Sequence, residues 1–255
     1  MTAMALDRVR ERLVAGEITW QLQYEPACSS TQDLARAAAA RGADQGWTVV
    51  TDSQHQGRGR LGRAWVAPAE TALLFSVILR PPLDVLPLLP LLAALAVAGG
   101  IETATGAVPD LKWPNDVLLN GKKLAGILLE RPAGAAVVLG VGLNVNQSAA
   151  DLPQGASSLA LELGQEVDRE TLLAAILNDL GNAYERADRQ GVEWIVPGWR
   201  SRSSMMGNAV AFTQDGSLVR GIAEDVAQDG ALRVRLEDGR RISVVAGEVE
   251  RVRSV

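Results

Sequence analysis

The sequence predicts an α+β chain in two parts: strands mixed with helices over residues 1–204, then a small antiparallel β part over 205–255. Three observations carry this. Short β-branched runs of strand length are interspersed with longer Leu- and Ala-rich runs through the first part. The tail changes texture at about Met205, where short alternating segments such as Leu232, Val234 and Leu236 are separated by Asp215–Gly216, Asp229–Gly230 and Asp238–Gly239. Asp-Gly pairs between such runs mark tight hairpin turns, and three in succession describe a small barrel. Apolar residues make up 47% of the 255, enough for a substantial core.

The elements follow in order. Residues 1–20 form a charged lead-in, helix-like around Asp7–Val14 and without the apolar stretch of a signal peptide. Thr31–Gly42 reads as a helix capped by Ser30 or Thr31. Trp47–Asp52 and Thr71–Leu79 are strands, the second closed by Pro81 and Pro82. Leu86–Thr105 is a mostly apolar helix. The greasy core of this region, Val85–Ile101, holds Pro87, Pro90, Gly99 and Gly100 and is shorter than the roughly 20 residues of a membrane span, so it is expected to be buried in protein. Asp110–Leu119 is extended, Asn120–Gly121 turns the chain, and Leu124–Glu130 returns. Val137–Val145 is a buried strand, and Arg169–Ala187 has helical periodicity.

Composition excludes several classes. The net charge of −5 disfavours a protein that coats nucleic acid. One cysteine, Cys28, and one histidine, His55, give neither an internal disulfide nor a structural zinc site, and neither residue is assigned chemistry. A reducing cytoplasm suits this cysteine usage. The cations are 22 arginines and only three lysines, and Lys112, Lys122 and Lys123 all fall within twelve residues. A compact ammonium is not interchangeable with a guanidinium fork, which draws attention to this segment.

Between the strands Trp47–Asp52 and Thr71–Leu79 lies Gly57-Arg58-Gly59-Arg60-Leu61-Gly62-Arg63, with three cations and no acid. Glycines allow close backbone approach, and N–H groups with guanidiniums suit a polyanionic ligand. The glycine spacing matches a dinucleotide fingerprint, but Ala64–Pro68 is extended where that fingerprint needs a helix. No Gly-Lys-Ser/Thr follows, so it is not a Walker loop. Further on, Lys112-Trp113-Pro114-Asn115-Asp116 precedes Lys122-Lys123-Leu124-Ala125-Gly126. A lysine opening a strand can hold a carboxylate and a phosphate together, and Gly126 removes bulk beside it. Lys122 reads as a solvated turn residue. Asp116 suits a Mg²⁺ ligand or a proton acceptor. Gly140–Asn146 ends a strand with two amides.

Together, Ser30-Thr31-Gln32, Gln54, Gly57–Arg63, Trp65, Lys112–Asp116, Lys123–Gly126 and Gly142–Asn144 resemble the biotin–protein ligase family in order and spacing, over about Tyr24–Asn146. The resemblance implies a mixed sheet flanked by helices, like the catalytic domains of class II aminoacyl-tRNA synthetases, followed by an SH3-like barrel. It implies two half-reactions: biotin and ATP, with Mg²⁺, give biotinyl-5′-adenylate, and a lysine of a biotin carboxyl carrier protein, of acetyl-CoA carboxylase or a related carboxylase, takes the biotinyl group. It assigns biotin to Ser30, Thr31, Gln32, Gln54, Gly57, Arg58, Gly59, Arg60, Lys123 and Gly126, and the nucleotide to Arg60, Arg63, Trp65, Asn115, Lys123 and Asn144. Lys123, Arg60 and Asp116 carry the chemistry, Lys123 by bridging the carboxylate and the α-phosphate. Gln32 and Leu61 depart from the family's usual Asn and Arg. Some members carry an N-terminal DNA-binding helix-turn-helix; with some 20 residues before the matching segment, this chain is expected not to bind DNA or a membrane, and to be a monomer or homodimer. The rival reading is a lipoate or octanoate ligase or transferase of related fold, for which the hydroxyl and amide set Ser30, Thr31 and Gln54 is less suited than for a ureido ring.

Overall fold

A computed structural model describes residues 3–132, 134–214, 217–245 and 249–251. The lead-in forms one short helix, α1 (Leu6–Arg10), shorter than the periodicity suggests. Then follow β1 (Gln21–Cys28), α2 (Thr31–Ala40), β2 (Trp47–Gln54), β3 (Ala72–Leu79), α3 (Leu89–Thr105), β4 (Asp110–Lys112), β5 (Asp116–Leu119), β6 (Lys122–Glu130) and β7 (Val137–Asn144). The first part ends with α4 (Leu159–Leu163), α5 (Arg169–Gln190) and α6 (Ile195–Ser201). The tail supplies β8 (Ala209–Gln214), β9 (Ser217–Val226), β10 (Leu232–Leu236), β11 (Arg241–Val244) and β12 (Val249–Arg251).

The first seven strands form one mixed sheet in the order β1-β2-β3-β7-β6-β5-β4, parallel only between β1 and β2. The composition of β1 hides it: polar residues alternate and Pro26 interrupts the run. It is an edge strand, where a proline without an N–H is tolerated in a sheet. The second sheet is antiparallel, in the order β11-β10-β9-β8-β12. Its turns at Asp229–Gly230 and Asp238–Gly239 place both glycines at positive φ, 83° and 85°. The expected turn at Asp215–Gly216 lies outside the described residues.

The two faces of the large sheet are covered unequally. α3 and α5 pack on one face, where Phe75, Val77, Leu139, Val141, Leu143 and Ala125 join the main core. By length and composition Leu86–Thr105 could span a membrane, yet ten residues of α3 are buried within the protein. Gly100 explains the close approach of α5: a Cβ there would stand 2.5 Å from the Ile176 backbone. The opposite face carries only α2, over Val49, Ile78 and Val138. The rest of that face, towards Gly140, Gly142 and Gly126, is left for the Arg-Gly loop.

Helix α2 begins where Ser30 accepts a hydrogen bond from Gln32 N at 3.3 Å, the cap its sequence predicts. Asn120 (φ 51°) and Gly121 (φ 75°) turn β5 into β6 with both residues left-handed, as a two-residue hairpin requires.

Candidate active site

At one end of the open face, the start of α2 meets the end of β2. Gln54 Oε1 accepts hydrogen bonds from Thr31 N (2.8 Å) and Thr31 Oγ1 (3.2 Å). The Ser76 hydroxyl, on β3, lies 2.9 Å from both Thr31 Oγ1 and Gln32 Oε1. Gln32 Nε2 donates to Val138 O at 3.1 Å, so its amide ties α2 to the sheet. Ser30, Thr31, Gln32 and Ser76 are all buried, and a buried polar cluster of this size is sustained by mutual hydrogen bonds. Ser76 was not singled out from the sequence. The available signal was a lone hydroxyl in an otherwise apolar strand.

The Arg-Gly segment folds back on itself. Trp65 N donates to Gly57 O (2.9 Å), Gly59 N donates to Arg63 O (2.7 Å), and Arg58 bridges Ala64. A Cβ on Gly57 would stand 2.4 Å from Trp65 O, which requires glycine at the base of the loop. Its tip places Leu61 at φ 56°, 70% exposed, followed by Gly62 at φ 74°. A side chain in this region costs about 1–2 kcal/mol. Arg58 reaches sideways to α2, with Nη2 and Nη1 at 2.7 and 2.9 Å from the two Asp33 oxygens. Arg60 Nη1 donates to Asn115 Oδ1 at 3.0 Å, and Asn115 Nδ2 donates to Ile127 O at 2.9 Å. Arg63 is exposed on the returning arm of the loop.

Trp65 is laid on the sheet by glycines. Gly126 and Gly142 face each other across β6 and β7. Cβ atoms there would stand 3.1 Å from Trp65 Cζ3 and 2.5 Å from Trp65 Cε2. The indole nitrogen of Trp65 is buried and has no hydrogen-bond partner among the described residues. Lys123 Nζ lies 6.0 Å from the indole centroid, at the edge of cation–π range.

A bulge aims Lys123 at this face. Lys123 and Gly126 are three positions apart, so a regular strand would turn them to opposite sides. Across β5, Leu118 pairs with Lys123 but Val117 pairs with Ala125, which leaves Leu124 as the extra residue. Leu124 and Ala125 are both fully buried, while the Lys123 side chain passes over Gly126. Lys123 Nζ ends 2.6 Å from Asp116 Oδ1, an ion-pair contact rather than a directed hydrogen bond. The Lys123 backbone is held by the segment after β7: Lys123 N donates to Gly155 O and Ser157 N donates to Lys123 O, both at 2.9 Å. Lys122 points away and pairs with Glu162 at 3.0 Å, so it is less free than a turn residue. Hydrogen bonds from Ser157 and Asn120, with Lys122 beside them, hold the Glu162 carboxyl down at about 2.

Asn144 is drawn inward instead. Its Nδ2 donates to Ser157 O (3.0 Å) and its Oδ1 accepts from Gln147 Nε2 (2.9 Å), so this buried amide organises the segment that holds Lys123. His55 is exposed, and burial pushes the Cys28 thiol up, away from thiolate reactivity. Between Lys112 and Asp116 the chain turns through a cis Trp113–Pro114 peptide. Trp113 Nε1 donates to Gly230 O at 2.9 Å, which fastens this turn to the C-terminal sheet.

The open face thus carries a buried polar cluster at one end, a glycine floor under an aromatic plate, and an ammonium and a guanidinium beyond it. Residues 25–146 match the model of the biotin/lipoate A/B protein ligase family, and residues 206–252 match the biotin protein ligase C-terminal domain. The chain belongs to this family. It is 36% identical to the biotin–[acetyl-CoA-carboxylase] ligase of Mycobacterium tuberculosis over 261 residues, covering 96% of this chain and 94% of that one. It is 38% identical over 229 residues to a bifunctional ligase/repressor of Bacillus subtilis, covering 86% of this chain and 70% of that protein. Among solved structures, the biotin protein ligase of Aquifex aeolicus in complex with biotin and ATP superposes with a TM-score of 0.80 at 28% identity, over 92% of this chain and 99% of that one.

Proposed function

We propose that this chain is an ATP-dependent biotin–protein ligase. In the cytoplasm, the biotin carboxylate attacks the α-phosphate of ATP to give biotinyl-5′-adenylate and pyrophosphate, and a lysine of a biotin carboxyl carrier domain then takes the biotinyl group as AMP leaves. The observation that carries this reading is the convergence of Lys123, Trp65 and the Arg60–Asn115 pair on one glycine-floored face whose other end is the Thr31–Gln54–Ser76 cluster.

Each group has a task. A ureido ring carries two N–H donors and one carbonyl acceptor, and Ser30, Thr31, Gln54 and Ser76 offer partners of both kinds. Gly59 lets the ligand pass close to the loop backbone, while Gly57 closes the loop on Trp65 and Gly126 seats its ring. Lys123 stands between carboxylate and α-phosphate, where its charge opposes the repulsion of two anions as they meet. Arg60 and Arg63 answer the remaining phosphate charge. Trp65 stacks on the adenine, and a nucleotide there supplies an acceptor for its buried N–H, which otherwise costs about 1–3 kcal/mol. Asp116 is displaced from Lys123 when phosphate arrives and then accepts the proton of the incoming lysine. No cluster of three or more metal-binding side chains occurs among the described residues, whereas Mg²⁺ commonly binds through substrate phosphates with one or two carboxylates. Asp116 fits that role beside Mg-ATP.

Incubation with biotin, Mg-ATP and a biotin carboxyl carrier domain, read by mass spectrometry, tests the function. One added biotinyl group on the carrier is the expected result. Transfer of lipoate in place of biotin would overturn it in favour of the sister activity.

A further inference from the structure

We infer that Asp33 is a positioning residue of this reaction: through Arg58 it clamps the Arg-Gly loop to helix α2 and so retains the activated intermediate. The inference rests on the ligase reading above for what is retained, but the clamp itself is a property of the protein alone.

Lateral contacts hold the loop on both sides. Arg60 reaches forward to Asn115. Arg58 reaches back to Asp33, on the first turn of α2, with both guanidinium nitrogens on both carboxylate oxygens. This bidentate geometry is the most directional ion pair available to proteins. Four charges from three elements form the surround: Arg58 of the loop, Asp33 and Arg36 of α2, and Glu130 at the end of β6. Arg58 and Arg36 each lie 3.8 Å from Glu130, and Arg36 lies 3.7 Å from Asp33. Two cations and two anions balance, so the guanidinium of Arg58 is spent on the clamp while its backbone lines the groove.

The position of the clamp gives it a function. Arg58 follows Gly57, whose carbonyl accepts the hydrogen bond from Trp65 N. Asp33 follows Gln32 and Thr31, which belong to the polar cluster. Holding Arg58 on Asp33 therefore holds the base of the loop against the polar end of the groove and keeps the Trp65 plate seated. An acyl adenylate is a mixed anhydride that water destroys, so a loop that opens releases or hydrolyses it before the carrier arrives. The pair is about one-third exposed on each side, 34% for Arg58 and 35% for Asp33, so salt reaches it.

The test uses the full chain with Asp33→Asn, Arg58→Lys and the exchanged pair Asp33→Arg/Arg58→Asp. With biotin and Mg-ATP but no carrier, adenylate escaping into solution is measured chromatographically. Asp33→Asn and Arg58→Lys are expected to raise escape about tenfold, the equivalent of one lost charge-assisted contact, and the exchanged pair to recover most of it. Salt should raise escape in the parent and have little further effect in Asp33→Asn. Cleavage by trypsin after Arg60 and Arg63, sites kept in every variant and measured without ligands, should rise in the single variants alone. This second readout stands even if the chain makes no adenylate, which would sink the ligase reading and not the clamp. Equal escape and equal cleavage in parent and Asp33→Asn overturn the inference. So does faster cleavage in the exchanged pair than in either single variant. If Asp33→Asn fails to fold, Arg58→Lys decides by the same measures.

Discussion

The indole of Trp65 rests on Gly142 so closely that a single methyl group on that glycine would stand 2.5 Å from Cε2. The plate on which an adenine would stack is thus positioned by the absence of a side chain on β7, far along the chain.

Gly142→Ala should dislodge Trp65 and lower adenylation on the order of a hundredfold, the usual loss for a misplacement of about 1 Å in an active site. Pyrophosphate release gives the rate, and a shift in Trp65 fluorescence reports the displacement. Unchanged release in a folded variant would show that the ring position is immaterial.

Lys123→Ala should reduce pyrophosphate release by about 10²–10³-fold, as when a preorganised electrostatic group is removed. Lys123→Arg should not restore it, because a planar fork cannot replace an ammonium between two anions and beside Asp116. A fully active arginine variant would contradict the bridging role.

Arg169 and Asp52 form a 2.6 Å ion pair with both side chains 6% exposed, and Tyr24 Oη donates to the other Asp52 oxygen at 2.5 Å. Burial and this carboxylate together push the Tyr24 phenol up to about 12. Arg169→Met strands a buried charge and should cost about 3–5 kcal/mol in chemical denaturation, whereas adding Asp52→Asn should recover part of that loss.

Glu162 gives the protein an acid limb. Its folded pKa is depressed to about 2 from an ordinary 4.5, so its ionised form stabilises the fold above pH 4.5. That contribution falls as pH drops from 4.5 towards 2 and is gone below both values. Glu162→Gln should lower Tm at neutral pH and make it less sensitive to acid across this window. An identical acid profile in both proteins would remove Glu162 from the account.

How much of this was readable beforehand depended on whether the cause was local. The Asn120–Gly121 turn was legible because two left-handed residues leave few choices. The helix starting after Ser30 was legible because its cap lies beside it. β1 was not, because pairing to β2 rather than its own pattern makes it a strand, and Pro26 interrupts that pattern. The bulge at Leu124 was hidden as well: alternation alone sends Lys123 to the wrong face. The candidate site residues could be named from motifs, but their partners could not. Asp33 beside Arg58, Gln147 beside Asn144 and Glu162 beside Lys122 are brought together by folding, as is Ser76 beneath Thr31.

The turn that presents Asn115 and Asp116 also contains Trp113, whose N–H is bonded to Gly230 and whose backbone N–H meets the Met205 sulfur at 3.0 Å. The C-terminal sheet is therefore not a freely swinging appendage. It is fastened through Trp113 to the segment carrying Asn115 and Asp116 and through Arg200 to α6, so a macromolecule docked on it would press on the site segment itself.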